Sequence, residues 1–421
     1  MREMKYSGVE WIGDIPAEWS LSRFKDHYKN VKEIAGEHAS EYERLALTLG
    51  GVIKRAKDDS DGLQPKAFDG YQILRENDFI FKMIDLQNIS TSRVGLSPYT
   101  GLVSPAYIRF TPRKEKQNNK FTYYFLMSMY YNCVFNNLGG DGVRSALNAS
   151  DMGVLIIPYP SDKEQQAIAD VLDHKCTQID ALIANEEQQI AKLKAYKQSV
   201  ITETVTKGLN PDVPMKDSGV EWIGEIPESW SIIKYGRVCK VKSNLVHPES
   251  YLDYMQIAPD NIEKGSGKLL PCTTVKEAGI ISDNHLFYKG QIIYSKIRPI
   301  LNKVTIAPFD GLCSADMYPI DTNQVYKYIL YYMLSDLFLI QVKMVTENRV
   351  KMPKINQEEL SQIITVLPSL SEQQQIADYL DQKCEQIDRL IAIKQQKIEK
   401  LQQYKKSVIY EYVTGKREVS N

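Results

Sequence analysis

The 421-residue chain carries 52 lysines and arginines against 53 aspartates and glutamates, and its formal net charge of −1 and pI near 6.6 exclude a protein that grips nucleic acid by bulk charge. Hydrophobic residues make up 43% at a mean hydropathy of −0.35, and no run approaches the ~18 apolar residues of a membrane helix. Six scattered cysteines without a CxxC and five isolated histidines argue against a disulfide framework and a zinc site, so reduced thiols are expected.

In chain order, the N-terminus MREMKYSGVEW lacks the apolar stretch of a signal peptide, which makes the cytoplasm the expected address. Residues 4–20, MKYSGVEWIGDIPAEWS, return at 215–231 as MKDSGVEWIGEIPESWS, with Trp11 in register with Trp222 and Trp19 with Trp230. An internal repeat of this kind says that one module was written twice. The first variable block, 21–157, mixes short apolar runs that favour strands (YQIL, FIF, AYIRF) with Gly and Pro turns, and reaches the Tyr-rich stretch FTYYFLMSMYY. From Glu164 about 43 residues rich in Glu, Gln, Ala, Lys, Leu and Ile run without Gly or Pro, a helix of roughly 65 Å. Ser161 can cap it, with Glu164 in its first turn. The second block, 232–365, has its own strand runs, QIIYSKI and KVTIAPF, and its own Tyr-rich stretch, YKYILYYMLSDLF. From Glu372 the helix repeats, with Ser369 or Ser371 as its cap.

The fold class is therefore α+β, with two globular domains of mixed strand and helix joined by two long helices. At about 150 residues per domain the length fits this plan. The divisions fall at 1–159 for the first motif and domain, 160–208 for the first helix, 209–367 for linker, second motif and second domain, and 368–421 for the second helix. Heptad counting gives a helix-pairing core of Leu172, Cys176, Ile179, Ile183, Glu186, Ile190 and Leu193 in the first copy. The second copy contributes Leu380, Cys384, Ile387, Ile391, Lys394, Ile398 and Leu401. The two rows match except where Glu186 faces Lys394 in the alignment. Either these long side chains snorkel out of a loose seam, or the helices pair with each other and opposite charges meet at its middle. Periodicity alone does not choose parallel from antiparallel. Cys176 and Cys384 act as small core hydrophobes.

Catalytic motifs are missing from the sequence. There is no GxSxG, HExxH or GxGxxG after a strand, and Gly265-Ser266-Gly267-Lys268 is a turn rather than a phosphate loop, because Leu269 stands where the metal-binding hydroxyl belongs. No metal site and no cofactor held by the chain itself are expected. A binder with two separately diverged surfaces fits better than an enzyme. A coiled-coil scaffold without sequence-specific DNA binding is the alternative, but it has little use for two diverged domains. Basic residues gather near turns at 54–57, 109–116, 296–303 and 349–354, where they can neutralise phosphates or read base edges. The DNA-binding candidates are Lys54, Arg55, Arg93, Arg144, Lys296, Arg298, Asn302, Lys303, Arg349 and Lys351.

The doubled SGVEWIG(D/E)IP motif, the doubled P-x₃-EQQ…IAD-x-LD-x-KC-x-QID helix start and the doubled Tyr-Lys-x-Ser-Val-Ile end at 196–201 and 404–409 agree in order and spacing. With YSKIRPILNK at 294–303 and the GLxS turn of each half, the chain resembles the specificity subunit of a type I restriction-modification system over nearly its whole length. The resemblance implies a non-catalytic subunit with two target-recognition domains, each reading one half of a split, asymmetric DNA sequence. It implies that the two conserved helices pair antiparallel, relate the halves by a pseudo-twofold and act as a spacer. The implied partners are double-stranded DNA, two methyltransferase subunits that use S-adenosylmethionine to methylate adenine, and two restriction subunits that use ATP and Mg. A helix near 65 Å is close to two turns of B-DNA at about 34 Å each. For Trp11, Trp19, Trp222 and Trp230, two readings stand side by side: pins that hold each domain's start against a helix end, or docking surface for the methyltransferase subunits.

Overall fold

The two Gly- and Pro-free repeats form the two longest helices, Asp162–Lys207 and Leu370–Val413. Ser161 and Ser369 each accept the backbone N–H of the glutamate three residues on, at 3.3 Å, which decides for Ser369 over Ser371 as the second cap. Each helix stops at a glycine in the left-handed conformation, Gly208 (φ 79°) and Gly415 (φ 69°). A computed structural model describes residues 2–59, 67–84, 86, 93–114, 117–138, 146–347, 349 and 353–419. It divides into two units, Met1–Glu186 with Gln396–Asn421 and Glu187–Gln395.

In the first unit, Lys405 Nζ donates to both Asp180 carboxylate oxygens at 2.6 and 2.7 Å, and Lys397 Nζ donates to Glu186 Oε1 at 2.6 Å. One index falls as the other rises, so the helices run antiparallel. In the second unit, Lys197 bonds both oxygens of Asp388 at 2.8 Å and Lys394 donates to Gln189, again antiparallel. Leu172, Cys176, Ile179, Glu186, Ile190, Leu380, Cys384, Ile387 and Ile398 are buried, while Ile183, Leu193, Ile391, Lys394 and Leu401 are half-buried. Burial pushes the Cys176 thiol up to about 11, consistent with an inert core position. Opposite charge does enter the middle of the seam, with Lys397 as a partner of buried Glu186.

The first unit's domain is built on two four-stranded sheets. One is ordered Gly51–Arg55, Arg44–Thr48, Gly101–Val103, Gln72–Leu74, and the other Tyr28–Asn30, Ile108–Pro112, Phe79–Phe81, Val94–Leu96. The runs YQIL, FIF and AYIRF supply three of these strands, as their alternation and turn flanks predict. Strand Ser20–Arg23 pairs with Ile156–Tyr159 just before the first long helix. Phe24 stacks on Tyr28 at 4.6 Å and meets Phe79, Phe81 and Phe110 edge-on, all of them buried. Burying one such ring contributes about 1.5–3 kcal/mol.

The second unit repeats the plan. One sheet is ordered Cys239–Val241, Met317–Thr322, Ile292–Ser295, Val304–Ile306, and the other Leu245–Val246, Asn284–Phe287, Gly311–Cys313, Met255–Ile257, Thr273–Thr274. Strand Ser231–Lys234 pairs with Ile364–Leu367 before the second long helix. Among the described residues each domain contains one parallel pair, Leu102 against Arg44 and Gly311–Cys313 against Met255–Ile257. The Tyr-rich stretches are helices, Asn119–Tyr131 in the first and Tyr326–Leu334 with Asp336–Thr346 in the second.

The GLxS segments are strands rather than the expected turns, since Gly101–Val103 and Gly311–Cys313 lie buried within their sheets. Their glycines mark close approach. A Cβ on Gly101 would stand 2.6 Å from the Glu43 carbonyl oxygen, and one on Gly311 would stand 2.4 Å from that of Met255. Among the described residues no single helix is long and apolar enough to cross a membrane.

Candidate nucleic-acid interface

In each domain the strand that ends at Phe81 or Ser295 runs into a loop held by backbone bonds on two sides. In the first, Lys82 N–H donates to the Arg93 carbonyl at 2.9 Å, Leu147 N–H donates to Met83 O at 3.0 Å, and Ile84 bridges Ala146. In the second, Ser295 N–H donates to Lys303 O at 2.9 Å, Ile355 N–H donates to Lys296 O at 3.0 Å, and Ile297 bridges Lys354. Asn148 and Asn356 then each open a short helix with a reciprocal capping box, closed by Asp151 and Glu359. Two clamped loops of one design thus carry unrelated sequences.

In the second domain the clamp joins two basic clusters that lie about fifty positions apart in the chain, 296–303 and 349–354. Lys296 lies over the Tyr318 ring at 5.3 Å. Arg349 donates to the Lys354 carbonyl and to Glu359, and Lys354 Nζ pairs with Asp316 at 3.1 Å. Arg298 is exposed, and its N–H donates to Pro353 O at 2.8 Å. Four cations, Lys296, Arg298, Arg349 and Lys354, therefore gather around two carboxylates, Asp316 and Glu359, and leave a local positive excess suited to a phosphate backbone. Lys354, at the end of the 349–354 cluster, is brought beside the 296–303 cluster by the backbone bridge to Ile297 and by its pair with Asp316.

Other candidates are placed differently. Asn302 is 1% exposed, and its Nδ2 donates to Met333 O at 2.8 Å. Lys303 Nζ is held by Pro259 O at 2.8 Å and Asp260 at 3.3 Å. Arg93 is 3% exposed, donates to Asn136 and faces the Tyr130 ring at 6.0 Å. Asn302 and Arg93 therefore support their loops from inside rather than meeting a duplex directly. Lys54 is exposed, paired with Glu43 at 2.5 Å and set over Tyr99 at 5.2 Å, while Arg55 pairs with Asp59 at 2.8 Å. Arg109, from the 109–116 cluster, is buried with Nε on Asp78 at 2.5 Å and Nη1 on Glu33 at 3.1 Å, so it holds a core rather than a phosphate. Arg144 and Lys351 lie outside the described residues.

The tryptophan motifs anchor helix ends. Trp19 Nε1 donates to Glu164 Oε2 at 3.0 Å at the start of the first long helix. A Cβ on Gly415, at the end of the second, would stand 2.3 Å from Pro16 and 3.1 Å from the Trp19 ring. Trp230 packs equivalently, 3.1 Å from a Cβ built on Gly208. Trp19 and Trp230, each 1% exposed, are core and offer no docking surface. Trp11 is half-buried against Phe125 at 5.3 Å, and Trp222 remains 41% exposed.

Residues 52–195 and 227–403 match the family described as Type I restriction modification DNA specificity domain. The chain is 30% identical over 355 residues to the type I restriction enzyme EcoDI specificity subunit of Escherichia coli, covering 81% of this chain and 79% of that protein. It is 24% identical over 438 residues to the type I restriction enzyme MjaVIII specificity subunit of Methanocaldococcus jannaschii, covering 97% and 95%. Its fold is similar to a chain in a solved structure titled for complex assembly and conformational transition of the type I R-M system, at a TM-score of 0.67 and 13% identity, covering 96% and 99%.

Proposed function

The chain belongs to the type I restriction modification DNA specificity family, and from that premise we propose that it reads a bipartite, asymmetric DNA target, one part per domain, without catalysing a reaction itself. The observation that carries this reading is the clamped loop built twice with different chemistry. Equal backbone bridges at Ile84–Ala146 and Ile297–Lys354 frame segments of unequal sequence, as two readers of unequal half-sites require.

Adenine methylation and DNA cleavage belong in this reading to partner subunits, two methyltransferase and two restriction subunits. S-adenosylmethionine, ATP and Mg bind there and not to this chain. The chain's net charge of −1 supports such sharing, because counterion release from a duplex needs more cations than the clamp of the second domain supplies. The place of work is the cytoplasm, where the DNA is.

Mapping adenine methylation in cells with and without the chain tests the proposal. One split motif is expected to vanish with the chain, and exchanging residues 235–363 for another such block is expected to change one half of the motif only. An unchanged pattern with active partners present overturns it.

A further inference from the structure

We propose that Arg298 is the base-reading side chain of the second domain, held ready to pair with a guanine edge, while Lys296 and Lys354 meet phosphates. This rests on the DNA-reading function proposed above. Three observations converge on Arg298.

Its backbone is left-handed, φ 45° and ψ 52°, and the next residue is Pro299. An L-residue with a long side chain avoids that conformation, and a following proline restricts it further toward extended backbone. Such a geometry persists only where the surroundings impose it, and it gathers at functional positions. Here the Arg298 N–H is tied to Pro353 O at 2.8 Å, and Ile297 on one side and Asn302 on the other are fixed by the Lys354 bridge and the Met333 carbonyl. Asn302, left-handed too at φ 45°, closes the same loop from inside.

The second observation is partnership. Of the cations in this cluster, Lys296 faces Tyr318, Lys303 is held by Pro259 and Asp260, Arg349 by Glu359 and Lys354 by Asp316. Among the described residues, no hydrogen bond, ion pair or ring contact engages the Arg298 guanidinium. The third is chemistry. An exposed, unengaged guanidinium on an immobilised backbone offers two parallel N–H donors, the fork that matches the O6 and N7 acceptors of guanine in the major groove.

The test uses the full chain assembled with its methyltransferase subunits and duplexes carrying the wild-type target and each single-base substitution of it, with binding measured across a salt series. Arg298→Ala and Arg298→Lys are expected to lose about tenfold to a hundredfold of the preference for guanine at one position and to keep the preferences elsewhere. Arg298→Lys is also expected to keep the wild-type salt dependence, because it keeps the charge. Arg298→Gly suits the left-handed backbone, so it is expected to lose the same preference while melting at or above the wild-type temperature, which separates reading from folding. Uniform weakening over all sequences with a shallower salt dependence would make Arg298 a phosphate contact and overturn the inference, as would wild-type discrimination in all three variants. A wild-type complex with no preferred sequence would instead overturn the DNA-reading function beneath it.

Discussion

The two domains share strand order and register yet solve the same core position in opposite ways. In the first, Arg109 sits beside Ile80 in the sheet and is locked by Asp78, Glu33 and the Ile73 carbonyl. In the second, the register-equivalent residue beside Ile293 is Pro319, and the equivalent of Asp78 is Gln291, whose Nε2 donates to Asp321 at 2.7 Å. Asp78 Oδ2 accepts the Arg75 N–H just as Gln291 Oε1 accepts that of Tyr288. The turn geometry is thus preserved while the buried charge is not. The fold rests on backbone pairing and apolar packing, and the ionic network is one domain's own addition.

Arg109→Met should break this contrast most strongly, since it leaves Asp78 buried without its cation and is expected to cost about 3–5 kcal/mol. Adding Asp78→Gln, which imports the second domain's solution, should recover most of that loss in thermal melting. Next, Trp19→Phe and Trp230→Phe remove similar ring volume, but only Trp19 has an acceptor, Glu164; Trp230 Nε1 finds none among the described residues. The first is expected to cost about 1–2 kcal/mol more than the second, measured by hydrogen exchange within each unit. Acid should test the first domain's network too. The Arg75 hydrogen bond, foremost, holds the Glu33 carboxyl below its ordinary 4.5 despite partial burial. A carboxyl lowered by folding stabilises the fold at pH above its unfolded value and loses that contribution as pH falls through its folded value. Exchange protection of the 28–112 sheets should therefore drop below pH 4.5 in wild type and not in Glu33→Gln. The smallest effect is a matched one. Lys197→Ala and Lys405→Ala remove ion pairs to mostly exposed carboxylates and should each cost about 0–1 kcal/mol, equally within error.

The long helices, their caps and five of the strands are legible in the sequence because period and punctuation are local signals. Gly101 and Gly311 misled, since a Gly-Leu-x-Ser segment reads as a turn; what requires glycine there is a neighbouring strand's carbonyl, which no local window contains. The basic clusters were legible as composition but not as surface. Arg93 and Asn302 turn inward, whereas Lys354 becomes part of the interface through a bridge to a residue 57 positions away, Ile297. Hydropathy and charge cannot foretell which side of a loop faces the core when long-range backbone pairing decides it.

The ion pairs of the long helices are reciprocal: Asp180 with Lys405 and Lys197 with Asp388 are one contact in two copies. Two identical half-length chains packed head to tail would make that contact twice without any linker. The middle of the seam no longer permits it, because the first helix offers Glu186 and Gln189 where the second offers Lys394 and Lys397. A helix of the first kind against its own copy would bury carboxylates without cations, and one of the second kind would set lysine against lysine. Each helix is therefore complementary to its sibling and not to itself.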